Sequence, residues 1–177
     1  MTLLHGLIPK RGLSEQDIGE IIHLAEIYNS FEHIEIKLNC EMLKRRPLDQ
    51  TNDYLYYDNG QLVGFLGKYQ FRSTEVEISG MVLPPFRRKG IFRSLLNEAV
   101  KECKNRKVPK VILICNNRSQ SGKGIATLHN SLYPKKQPFS YQEKGCLHAD
   151  KCMQMYQLVI INIPILPNGE GFGREFQ

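Results

Sequence analysis

The chain has 177 residues, 41% of them hydrophobic, which is long enough for one globular domain with a full core and leaves little room for a second. Its net charge of +6 is concentrated: residues 87–110 carry nine Lys or Arg against two Glu, a local +7, so everything else sums to −1. A local patch of this kind fits a phosphorylated small ligand better than a nucleic-acid coat. Cysteines 40, 103, 115, 146 and 152 form no disulfide-like framework, and no run approaches the length of a membrane span or the form of a leader, so a reduced, cytoplasmic protein is expected.

In chain order, residues 3–8 are a short apolar run suited to a first strand, closed by Pro9-Lys10-Arg11-Gly12. Ser14, with Asp17 three residues on, predicts a capped helix over 15–29, where Ile18, Ile21, Ile22, Ala25 and Tyr28 recur at helical spacing. Residues 31–38 are ambiguous: Ile34, Ile36 and Leu38 alternate like a strand but lie between helical segments. Asn39 predicts a second cap, opening a short helix that stops before Pro47. Residues 53–57 and 61–71, joined by Asp58-Asn59-Gly60, predict a hairpin, and a third antiparallel strand follows Arg72-Ser73-Thr74.

That third strand leads into the most informative stretch. Over residues 75–83, Val76, Ile78 and Val82 share one face with Gly80, while Glu75, Glu77 and Ser79 share the other. Pro84-Pro85-Phe86-Arg87-Arg88-Lys89-Gly90 then turns the chain into a helix over 91–104, with Phe92, Leu95, Leu96, Ala99, Val100 and Cys103 on its apolar stripe. A basic turn at a helix start offers free N–H groups and the positive end of the dipole, which suits a phosphate. The plain alternative is a solvated basic turn. Residues 108–115 predict a buried strand, parallel to the previous one through a right-handed crossover. Beyond Asn116 a helix opening near Ser119 and strands at 139–143 and 153–163 are expected, followed by an irregular tail over 164–177.

The Val82-Leu83-Pro84 strand end, the Arg87-x-x-Gly90 turn and the Leu95-Leu96 helix together resemble the GNAT superfamily of acyl-CoA-dependent N-acyltransferases. The resemblance covers residues 14–128, and Phe92 departs from it by standing where the family's loop ends in Gly or Ala. It implies an α/β (α+β by layer) fold: a mixed, mainly antiparallel sheet with a central parallel strand pair and helices on both faces, in a single domain over 1–163. It implies acetyl-CoA as co-substrate, with the main chain of Met81, Val82 and Leu83 pairing with the pantetheine arm and the Val82 and Leu83 amides polarising the acyl carbonyl. Ser79-Gly80 would mark the bulge that splays this strand from the next. Arg87, Arg88, Lys89, Gly90, Ile91 and Phe92 would hold the pyrophosphate, by N–H groups and by charge, with Asn117 and Ser121 as further cofactor contacts.

A primary amine must lose a proton before it attacks, so a carboxylate base is needed. Glu77 is the candidate and Glu75 the reserve; a solvent-facing strand carboxylate is the bland alternative for each. Tyr133, in Leu132-Tyr133-x-Lys135, is what the resemblance implies as general acid for the departing thiolate; a tyrosine at a helix end is its plain alternative. The acceptor would be a small-molecule or peptide amine, with no membrane or nucleic-acid partner, and a homodimer stays open. The rivals are a catalytically weak or inactive CoA-binding or regulatory protein of the same fold, and a nucleic-acid module, which lacks interleaved aromatics. No metal is expected: Cys146, His148, Asp150 and Cys152 match no usual zinc spacing.

Overall fold

In a computed structural model the described residues are 3–36, 38–116, 118–122 and 158–164. Strand β1 (Gly6–Lys10) is followed by helices α1 (Glu15–Glu32) and α2 (Cys40–Lys44), strands β2 (Asp53–Asp58), β3 (Gln61–Arg72) and β4 (Glu75–Val82), helix α3 (Ile91–Asn105), and strands β5 (Lys110–Asn116) and β6 (Leu158–Pro164). The six strands form one sheet in sequence order. Only β4 and β5 are parallel among these neighbours; the other pairs are antiparallel. The mixed, mainly antiparallel sheet with one parallel pair is therefore the architecture expected from the element pattern.

Local chemistry accounts for most boundaries. Ser14 Oγ accepts the Asp17 N–H at 3.1 Å while Asp17 Oδ2 accepts the Ser14 N–H at 2.9 Å, a complete capping box at the start of α1. Asn59 and Gly60 both take positive φ, 49° and 83°, the backbone a two-residue hairpin turn needs. The first strand runs later than expected, through Pro9 and Lys10, because β1 is an edge strand and a missing N–H is tolerated there. The ambiguous 31–38 stretch is no strand: α1 continues to Glu32 and closes on His33 in the left-handed region. Ile34 N–H then returns to Asn29 C=O, and Ile36 N–H to the Asn29 side chain. The alternation of Ile34, Ile36 and Leu38 serves packing against the core instead of a ladder.

Two helical layers cover the sheet. A side chain at Gly64 would meet Ile91 and Leu95 of α3, whereas one at Gly67 would meet Arg46, just beyond α2. Since 64 and 67 differ by an odd number, α3 and the α1–α2 pair lie on opposite faces. Ile21, Leu24, Ala25 and Tyr28 of α1 are buried on one side, and Leu95, Leu96, Ala99, Val100 and Cys103 of α3 on the other. Cys103 is thus a core residue, as its place in the helical stripe predicts. The later helix is seen only at its start, Gln120 to Gly122; the 139–143 strand and the tail beyond Pro164 lie outside the described residues. None of the described helices is long and apolar enough to cross a membrane.

Candidate active site

The basic turn is shaped by two left-handed residues, Arg88 at φ 61° and Gly90 at φ 80°. Gly90 has open space where a side chain would stand, so its glycine answers to φ alone. Gly90 is the N-cap of α3, and Ser94 N–H makes the first helical bond to its C=O. Arg88, Lys89, Gly90, Ile91 and Phe92 consequently present backbone N–H groups with no acceptor among the described residues. Alternating backbone signs turn such groups into a concavity for an anion. Ile91 is buried and anchors the turn, while Arg88 and Lys89 are exposed, Lys89 Nζ lying 4.9 Å from the Phe86 ring centre.

Just before the turn, two strands part. Pairing between β4 and β5 runs from Glu75–Lys110 to Ile78–Leu113 and ends there, although β4 continues to Val82 and β5 to Asn116. On its other edge β4 keeps register with β3 through Ser79, Gly80, Met81 and Val82. The splay expected at Ser79-Gly80 begins there, on the β5 side, with no register shift toward β3. Gly80 has a packing function. A Cβ there would stand 2.7 Å from the Phe65 carbonyl oxygen and 3.2 Å from the Phe92 ring, so the missing side chain lets Phe92 lie against β4. Phe92, the departure in the loop, is half-buried and packed on the core.

Alternation decides which backbone groups face the gap. Leu83 N–H donates to Val63 C=O at 2.9 Å, so odd-numbered β4 residues bond to β3. The N–H and C=O groups of Gly80 and Val82 point the other way, toward the side β5 has left. This corrects the expectation for Met81 and Leu83: their main-chain groups belong to the β3 ladder and are not available to a ligand in the gap, whereas the Val82 N–H faces it. Met81, Val82 and Leu83 are all buried, and the Val82 C=O accepts Arg87 Nε at 3.1 Å.

Arg87 is also revised. Its side chain turns inward: Nη1 donates to Glu32 Oε1 at 2.6 Å, and its guanidinium lies 5.1 Å from the ring centres of both Tyr28 and Phe31. Charge on the outside of the turn comes instead from Arg88 and Lys89. Glu32 also accepts the Gln120 N–H at 3.0 Å. Burial works against its charge, yet Ser121, the Gln120 N–H and Arg87 hold its carboxyl below the ordinary range. Ser121 is bound to Tyr28 Oη and Ser119 Oγ, at 3.0 Å each, so it stands at the β5 side of the gap as a bonded member of this cluster.

On the α1–α2 face of β4 lie Glu75, Glu77 and Ser79. Glu75, the reserve base, is held by Lys110 at 3.2 Å and Arg72 at 3.5 Å with a side chain only 13% exposed, which makes it an ion-pairing residue. Glu77 is half-buried, in register with Tyr69 of β3 and Ile112 of β5. Beside it, the Arg46 guanidinium lies 4.4 Å from the Tyr69 ring centre. Asn117 and Tyr133, together with the Cys146–Cys152 cluster, lie outside the described residues. Sequence reasoning missed Glu32 and Tyr28, because Tyr28 reads as one more core residue of α1 and the partner of Glu32 stands 55 residues away.

The turn at 88–92 thus offers a cradle for an anion, and beside it the Gly80 and Val82 N–H groups face the gap that β5 has left. The model of the acetyltransferase (GNAT) family matches residues 21–121. No curated protein sequence matches the chain significantly. Among solved structures, the diaminobutyrate acetyltransferase EctA from Paenibacillus lautus, in complex with L-2,4-diaminobutyric acid and coenzyme A, superposes with a TM-score of 0.66 at 11% identity, over 98% of this chain and 100% of that one. YncA from Salmonella typhimurium, a putative acetyltransferase with acetyl-CoA, gives 0.58 at 19% identity over 93% and 97%. A GCN5-related N-acetyltransferase from Sphaerobacter thermophilus gives 0.58 at 19% identity over 72% of this chain and 44% of its own length. These likenesses concern the fold, and the family model spans more than half of the sequence; the chain belongs to the GNAT acetyltransferase family.

Proposed function

We propose that the chain is an N-acetyltransferase that moves an acetyl group from acetyl-CoA to a primary amine of a small molecule or peptide by direct attack. The observation that carries this reading is the parting of β4 from β5 after Ile78, ahead of a turn with five N–H groups that have no acceptor among the described residues. The backbone of residues 88–92 would hold the pyrophosphate, with Arg88 and Lys89 adding charge. The Gly80 main chain would pair with an amide of the pantetheine arm, leaving the Val82 N–H for the acyl carbonyl. Acetyl-CoA supplies an activated thioester: the C–S bond breaks as the C–N bond forms.

The chain's own groups would manage the protons and charge. The Val82 N–H would stabilise negative charge developing on the acyl oxygen. Glu77, directly or through water, would take the proton from the ammonium so that a neutral amine attacks. Tyr133 would return a proton to the sulfur, as the family resemblance implies, and Asn117 and Ser121 would complete the cofactor contacts. A donor made inside the cell places the enzyme in the cytoplasm in this reading.

Calorimetric titration with acetyl-CoA tests the cofactor, with saturable binding expected; no heat at millimolar ligand overturns the reading. Release of free CoA thiol over a panel of amines then tests transfer. The competing reading is a CoA-binding member of the same fold without turnover. Tight binding with no thiol release across the panel is its signature.

A further inference from the structure

The Glu32 carboxylate touches both sides of the gap. Toward β4 it accepts Arg87 Nη1 at 2.6 Å, and the same guanidinium donates Nε to the Val82 carbonyl at 3.1 Å. Toward β5 it accepts the Gln120 N–H at 3.0 Å, in the helical turn that follows the strand. The Glu32 side chain is 3% exposed and that of Arg87 21%, so the ion pair is partly buried. Tyr28, one turn earlier on α1, adds a second strut: its hydroxyl meets Ser119 and Ser121 at 3.0 Å each, while its ring lies against Arg87. No ladder bond joins β4 to β5 beyond Ile78, so this chain of bonds spans the two strand ends where the ladder does not.

We propose that Glu32 is a positioning residue that ties the β4 and β5 ends together and so sets the spacing of the gap for the pantetheine arm. The inference rests on the acetyl-CoA reading, and deepens it by separating two parts of the cofactor. The phosphates meet backbone N–H groups of residues 88–92, which Glu32 does not touch. The pantetheine arm meets the strand edges, whose spacing Glu32 controls. Loss of the tie widens or slackens the gap and leaves the phosphate cradle in place.

The test is calorimetric titration of the full chain and its Glu32→Gln variant with CoA and with 3′-phospho-ADP, the cofactor lacking its pantetheine arm. Glu32→Gln keeps the shape and removes the charge that holds Arg87. Its CoA Kd is expected to weaken about tenfold, the scale of a hydrogen bond to a charged group. The fragment Kd is expected to change by no more than about twofold, the scatter of independent sites. Arg87→Lys, which keeps the charge but loses the Nε bond to Val82, is expected to show the same split and serves if Glu32→Gln does not fold. Equal weakening of both ligands, or no weakening of either, overturns the tie while leaving the acetyl-CoA reading standing. A wild-type chain that binds neither ligand overturns that reading, and the tie with it.

Discussion

Glu77 and Glu75 share a strand face two residues apart, yet their surroundings differ. Glu75 is closed in by Lys110 and Arg72, whereas Glu77 lies across from Tyr69 in the neighbouring strand. In the proposed mechanism Glu77→Gln is expected to lower kcat by about a hundredfold, the usual scale for a general base, with acetyl-CoA affinity unchanged in calorimetry. Glu75→Gln should instead lower the midpoint of urea unfolding and spare kcat. Gly80 is the other residue whose identity is dictated locally. Gly80→Ala places a methyl group 2.7 Å from a main-chain oxygen, and overpacking of this kind costs about 1–3 kcal/mol. Because the closest neighbour is backbone, Phe92→Ala in the same chain should not restore the urea midpoint.

At the scale of elements, α1 carries more than its amphipathic pattern announces. Its start is locked by the Ser14–Asp17 capping box, and Asp17 also receives Lys10 from β1 at 2.8 Å. Its end supplies Tyr28 and Glu32 to the gap. Ser14→Ala is expected to cost about 1 kcal/mol by chemical denaturation, the typical value for a lost N-cap. Most of α1 was legible: the cap, the stripe and the turn-by-turn spacing are local. Its last turn was not, because His33 ends the helix in the left-handed region without the glycine that usually signals such a stop. The basic turn shows the same division. Gly90 and the cations stand in the sequence in order, but the inward swing of Arg87 depends on an acid from another element.

For the whole molecule, the α3 face of the sheet holds a conflict. Lys68 is 2% exposed, its Nζ has no hydrogen-bond partner among the described residues, and burial lowers its pKa from 10.5 to about 8. On the other face, burial raises the Asp53 pKa from 3.8 to about 6 despite its bond to Arg46. For Lys68 the unfolded chain binds the proton more tightly, so stability should rise as pH climbs from about 8 to 10.5. For Asp53 the folded chain binds it more tightly, so its contribution is present in acid and is lost as pH rises from 3.8 toward about 6. Lys68→Met should stabilise the protein at pH 7 by about 1–3 kcal/mol, the range for replacing a poorly paired buried charge with an apolar side chain. It should also abolish the alkaline rise, which denaturation curves at pH 7 and pH 10 would show.

The sequence by itself determined the succession of elements, the hairpin at Asn59-Gly60, the capped helices and the basic turn after Val82-Leu83-Pro84. Each of these rests on residues within a few positions of one another, where periodicity, φ preference and capping operate. Only the tertiary structure decided where β5 leaves β4, that Leu83 is engaged while Val82 faces the gap, and that Glu32 draws Arg87 away from the surface. Those outcomes depend on strand register and on a bond between residues 55 positions apart, which no local pattern encodes.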